Sequence, residues 1–253
     1  MNAVAALRSY VLRRRLGGVG SLPGLAVALV PAGIAAAVAW HGEVDARALY
    51  LRLAGPLGLG FVLPFLSMFA TLPVFGELWD RGAVGYVFTR PVPRWAPLLG
   101  IHQGAVLAGL PAALLAAAAP AAVLSAVGPP PATGWLEPVA AVFAVLAAGL
   151  VVDCALCVLL GAWSRRAILW AMFVLVVWGS VVGNLPGSLR GASPHRYLAA
   201  LFRHWTGIGA DELRGLPPDP EPPTAPICLL VLAGITVAAL FLAWRAARRR
   251  DIL

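Results

Sequence analysis

Apolar residues gather into six long runs along the chain, at 22–40, 53–75, 98–127, 139–160, 168–185 and 227–244. A helix needs about 20 apolar residues to cross the hydrocarbon core of a bilayer, where the segment must satisfy its own backbone polar groups. The runs have that length, so the pattern predicts an all-α, polytopic membrane protein with six transmembrane helices in one domain over residues 1–253. The third run is longer than a span requires and carries Pro111 and Pro120. That predicts either a kinked, tilted helix or a helix with a non-helical extension. Around the first run, Ala35 and Ala37 imitate a signal-peptide cleavage site. Its apolar stretch nevertheless exceeds the roughly 7–15 residues of a signal core, and five further runs follow, so it reads as an uncleaved first span.

Two stretches outside these runs carry helical spacing. Val4, Leu7, Val11 and Leu12 recur beside Arg8, Arg13, Arg14 and Arg15. This suits a helix lying in the membrane interface, or else a short basic tail that sets topology. Later, Ser193 can cap a helix with Pro194 at its first position. Tyr197, Leu198, Leu201, Phe202 and Trp205 would share one face, opposed by Arg196, Arg203 and His204. An interfacial or partly re-entrant helix is expected there, within an outer loop over 186–226. The Pro-rich stretch 217–226 then returns the chain to the last span as an extended connection, and Gly128 to Pro131 form a turn between the third and fourth spans.

Composition sharpens this picture. Hydrophobic residues make up 60% and charged residues 12% of 253, with a mean hydropathy of +0.85. The charged coat of a soluble domain is missing, which excludes soluble enzyme folds. All 19 basic residues are Arg. Without Lys the chain holds neither a complete P-loop nor a Schiff-base nucleophile, so it is not expected to be an enzyme, and any ATP hydrolysis belongs to a partner.

Arg placement sets the orientation. With the N-terminus in the cytoplasm, thirteen Arg fall inside: Arg8, Arg13, Arg14, Arg15, Arg81, Arg90, Arg94, Arg165, Arg166, Arg245, Arg248, Arg249 and Arg250. The other six are outside, four of them in the long fifth loop, where charge carries less topological weight. Both termini are therefore expected in the cytoplasm. The net charge of +8 reads as loops facing anionic lipid rather than as a nucleic-acid surface.

Catalytic constellations are scarce. His41, His102, His195 and His204 are dispersed, and Cys154 and Cys157 sit inside an apolar run as packing residues. No metal site and no cofactor are assigned. Asp153, between Val152 and Cys154, is the exception, because an ionisable group inside a bilayer is costly. Two roles stay open for it: a structural polar contact, within reach of snorkelling or of Arg165, or a substrate or ion site.

The loop between the second and third runs is the most informative. It opens on Glu77 and Asp80-Arg81-Gly82-Ala83, passes a mixed apolar stretch, and closes on Thr89-Arg90-Pro91-Val92-Pro93-Arg94. A short cytoplasmic helix presenting charged ends to another protein fits this pattern; a solvated loop is the plainer alternative. Here the chain resembles the type-2 ABC exporter permeases, whose loop reads acidic-x-Gly-Thr, an apolar run, then Arg-Pro-x-Ser-Arg. Ala83 stands where Thr is usual, Pro93 where Ser is usual, and Gly100-Ile101 where Gly-Lys commonly follows. The resemblance implies that Glu77, Asp80, Arg81, Gly82, Pro91 and Arg94 form an ATPase-coupling loop over 76–97. It further implies an ATP-binding partner subunit, pairing with a second permease copy or sister, and a place in a prokaryotic plasma or inner membrane. The rival readings are a gradient-driven secondary transporter that uses Asp153 and a membrane assembly or scaffold subunit. The transported substrate is left open by the sequence.

Overall fold

The computed structural model describes residues 3–17, 19–41, 45–80, 93, 95–127, 134–178, 191, 193–208 and 222–249. Helices and turns account for their regular structure, with no strand among them. In chain order the helices are α1 (Ala3–Leu16), α2 (Leu22–Trp40), α3 (Ala46–Leu53), α4 (Leu63–Asp80), α5 (Trp95–Val127), α6 (Leu136–Trp163), α7 (Ala167–Ala171), α8 (Pro194–Thr206) and α9 (Ala225–Arg249).

Five helical segments are long and apolar enough to cross a membrane: Leu22–Trp40, Ala46–Asp80, Trp95–Val127, Leu136–Trp163 and Ala225–Arg248. The chain is a polytopic, all-helical membrane protein. Along the fifth apolar run the described helix is shorter, Ala167–Val177, and positions 179–185 lie outside the described residues. The loop 128–131 and positions 217–221 also lie outside them.

The second span is longer than its apolar run. The Asp45 carboxylate accepts from the backbone N–H of Arg47 and Ala48 at 3.0 and 3.2 Å and starts α3 well before residue 53. A π-helical stretch, Ala54–Val62, joins α3 to α4. Pro56 lies inside it, and a proline that removes an N–H from the ladder favours such a local widening.

The third span is one continuous α-helix of 33 residues, with Pro111 and Pro120 inside it. Of the two forms expected, the run 98–127 takes that of a single helix, without a non-helical extension. At 1.5 Å per residue it is about 50 Å long, against a hydrocarbon core of about 30 Å, so part of it projects beyond the membrane or tilts.

Packing divides the bundle into two ends. The main core joins Tyr50, Leu59 and Leu63 of the second span to Ala113 and Ala117 of α5, Val145 and Leu146 of α6, and Leu198, Leu201 and Phe202 of α8. A second cluster gathers Val11 of α1, Val74 and Phe75 of α4, Leu98 and Ile101 of α5, Val158 and Ala162 of α6, and Ala243 and Ala247 of α9. The N-terminal helix and the last turns of α9 therefore sit at the same end.

The helix predicted after Ser193 forms with Pro194 at its start and Gly207, at φ 67°, at its C-terminal end. Its apolar face is turned into the bundle. Leu198, Ala199, Ala200, Leu201 and Phe202 are buried, and it packs against α6 and α9. Ser193 stands at the N-cap position without the expected side-chain hydrogen bond, and its buried Oγ has no partner among the described residues.

Candidate functional site at the α4 end

The end of α4 is built by close backbone approach. Gly100 and Gly104, one helical turn apart on α5, form a groove into which α1 docks. A Cβ at Gly104 would lie 2.7 Å from Val11 Cβ, and one at Gly100 would lie 2.9 Å from the Val4 carbonyl oxygen. Any side chain there would push α1 away. Gly161 of α6 serves α4 in the same way, since its Cβ would meet the Phe75 ring at 2.5 Å.

Docked so, α1 reaches the last turn of α4. Arg14 donates from Nε and Nη2 to Oε1 of Glu77, at 3.0 and 2.9 Å, and the Tyr10 hydroxyl donates to Oε2 at 3.0 Å. Tyr10 and Arg14 are four residues apart, so one helical face grips one carboxylate. The hydrogen bond and charge of Glu77 hold the Arg14 guanidinium more firmly protonated than usual. Next to it, Trp79 Nε1 donates to the Gly161 carbonyl at 3.2 Å, while the Arg165 guanidinium lies 5.3 Å from the Trp79 ring.

Of the coupling-loop residues expected from the sequence, Glu77 and Asp80 are described and share the last turn of α4. Asp80 is exposed, whereas Glu77 is half-buried and held by α1. Arg81, Gly82, Pro91 and Arg94 lie outside the described residues. The grip of Tyr10 and Arg14 on Glu77 was not anticipated. The signal was in the sequence as an i, i+4 polar pair on the helix whose other face carries Val4, Leu7 and Val11. The Gly100/Gly104 groove was legible as a G-x-x-x-G spacing.

Asp153 is elsewhere, in the middle of α6, with 4% of its surface exposed. Cys154 and Cys157 beside it are fully buried. The expected proximity to Arg165 is not realised. About 15 Å of helix separates Asp153 from Trp163, and Arg165 faces Trp79 instead. His102 of α5 is tied to the Val151 carbonyl at 3.0 Å. Among the described residues no group of three His, Cys, Asp or Glu side chains could hold a metal ion. No family model matches the chain, and no curated protein proves similar to it.

Proposed function

We propose that the chain is the membrane subunit of an ATP-driven ABC exporter of the type-2 kind, forming the substrate path while a separate subunit hydrolyses ATP. One observation supports this reading: at the end of the bundle that gathers α1 and both ends of the 76–97 loop, α4 stops on an exposed carboxylate, Asp80, immediately before the loop whose sequence resembles that of the exporters. An exposed charge at the tip of a long, rigid span suits a lever on which a partner can push. For ATP to drive the cycle, its bound and free states must contact that lever differently.

The shared position of α1 and the last turns of α9 supports an even number of crossings. Five long spans plus a sixth through 168–185, with cytoplasmic termini, would meet that requirement. Glu77, gripped by Arg14 and Tyr10, then sets the lever's angle rather than touching the partner. Asp80, with Arg81, Gly82, Pro91 and Arg94, forms the contact, and the complex holds two permease subunits and two ATPases in a prokaryotic plasma or inner membrane.

A gradient-driven transporter is the second reading, favoured by the buried Asp153. The test is purification of the tagged protein from its native membrane in mild detergent, with mass spectrometry and an ATPase assay on the eluate. A stoichiometric P-loop ATPase that is lost in Asp80→Arg while membrane insertion persists is the expected result. A preparation without ATPase overturns the proposal, and transport abolished by Asp153→Asn would then favour the second reading.

A further inference from the structure

A cavity of about 250 Å³ opens where the end of α1 and the start of α2 face α4 and α5. Its walls are apolar, with Leu16, Leu25, Leu66, Phe69 and Pro111 among them, and among the described residues Arg15 is the one charged residue at its lining. The Nε and Nη2 atoms of Arg15 are buried and have no hydrogen-bond partner among the described residues. The carboxylate that could have served them, Glu77, is bonded to Arg14 and Tyr10 instead. Burial lowers the Arg15 pKa below its usual value; the positive charge of Arg14 lowers it further, while Glu77 opposes the shift.

Guanidinium N–H groups withdrawn from water without a partner are costly, and an anion placed on them offsets that cost with charge-assisted hydrogen bonds. The shape of the site adds a second requirement. Gly24 leaves the α2 wall open: a Cβ there would meet only Leu66 Cδ2, at 3.6 Å. On the same helix Leu22 and Leu29, three and four residues either side of the lining Leu25, are 57% and 46% exposed within a spanning segment, a face suited to lipid rather than to bulk water. A ligand entering from that side has an apolar body and a negative head.

We propose that this cavity binds an anionic phospholipid from the bilayer, its phosphate on Arg15 and one acyl chain between α2, α4 and α5. The occupant is taken from the membrane, because a free phosphate would satisfy Arg15 and leave the apolar walls uncovered. The site is independent of the transport reading and requires only that the bundle be immersed in lipid. By seating a lipid at the α1–α2 joint, it ties the docking of α1, and through Arg14 the angle of α4, to the lipid composition around the protein.

The test uses full-length protein in nanodiscs of phosphatidylcholine doped with photoactivatable phosphatidylglycerol or with phosphatidylcholine carrying the same acyl probe. Cross-links are then mapped by mass spectrometry. The expected result is labelling of residues 15–25 and 108–112, about tenfold stronger for phosphatidylglycerol, as a charge-assisted hydrogen bond predicts. Arg15→Gln is expected to erase the preference between lipids, Arg15→Lys to retain most of it, and Gly24→Leu to block labelling by both. Equal labelling of the wild type by the two lipids overturns the proposal without recourse to any variant. So does labelling confined to other segments, or a preference that survives Arg15→Gln.

Discussion

The two ends of the bundle are held by different forces. At the α4 end buried apolar packing of Val11, Phe75 and Ile101 is joined by charged, partly exposed contacts between elements: Arg14 and Tyr10 on Glu77, and Arg165 over Trp79. At the α8 end they are apolar and buried. Phe202, Leu198 and Leu201 fill the core, the Tyr50 hydroxyl donates to the Ala117 carbonyl at 3.0 Å, and its ring meets Trp135 edge-on. Exposed ion pairs are weak and screened by salt, whereas buried packing is strong and indifferent to it. The charged contacts of the α4 end can therefore change at lower cost than the buried packing of the α8 end. On the transporter reading proposed above, that asymmetry would put the softer contacts on the side of the ATPase.

The largest expected effect is at the resistant end. Phe202→Ala empties a site that is 1% exposed and should cost about 3 kcal/mol, the lower end for deletion of a buried aromatic ring. Denaturation in detergent checks it, and a loss that varies with salt would contradict the division drawn above. A smaller effect is expected from Gly104→Ala. The new methyl displaces Val11 and should cost about 1–3 kcal/mol of helix docking. It should free α1, read as faster proteolysis after Arg13 or Arg14, while the spans stay intact.

Much of the architecture was legible in the apolar pattern, since spans are selected by length and hydropathy alone. The run 22–40 coincides with α2, and 139–160 and 227–244 lie inside α6 and α9. The second span outran its apolar run because Asp45 caps a turn whose buried Tyr50 and Leu51 balance the polar residues beside them. Hydropathy is blind to such caps. The α8 helix was legible in the sequence, but what its apolar face packs against was not. Its apolar face fits a membrane surface and a protein core equally well, and only the facing residues of α6 and α9 decide between them. At the candidate site, the residue types and spacing marked the loop. They did not show that Glu77 is already engaged, because Arg14 and Glu77 are 63 positions apart and meet only through the Gly100/Gly104 groove.

Removing the charge at the soft end should have a modest, salt-dependent effect. Glu77→Gln keeps a hydrogen-bond acceptor but loses the ion pair with Arg14, so α1 should loosen from α4 in the variant at low salt to the degree that the wild type does at high salt. Distances between spin labels on α1 and on α4 measure this. If the wild-type distance is unaffected by salt, Val11 in its groove holds α1 alone and the soft end is harder than its contacts imply.

The effect expected to vanish at neutral pH is a pH dependence at the resistant end. His195, in the first turn of α8, is half-buried, and burial lowers its pKa from the usual 6.5 to about 4. The folded form therefore binds its proton only near pH 4, while the undocked form binds it from about 6.5 downward. The linkage sign follows: the undocked state holds more protons between these values, so docking of α8 weakens as pH falls through that window. Its contribution is fully present above pH 6.5 and gone below about 4. His195→Gln, which cannot take up a proton, should flatten the curve over that window and leave it unchanged at neutral pH. Hydrogen exchange of the α8 amides across a pH series, corrected for the intrinsic exchange rate, provides the measurement. The same slope in wild type and variant would place the acid sensitivity elsewhere and leave the α8 end governed by packing alone.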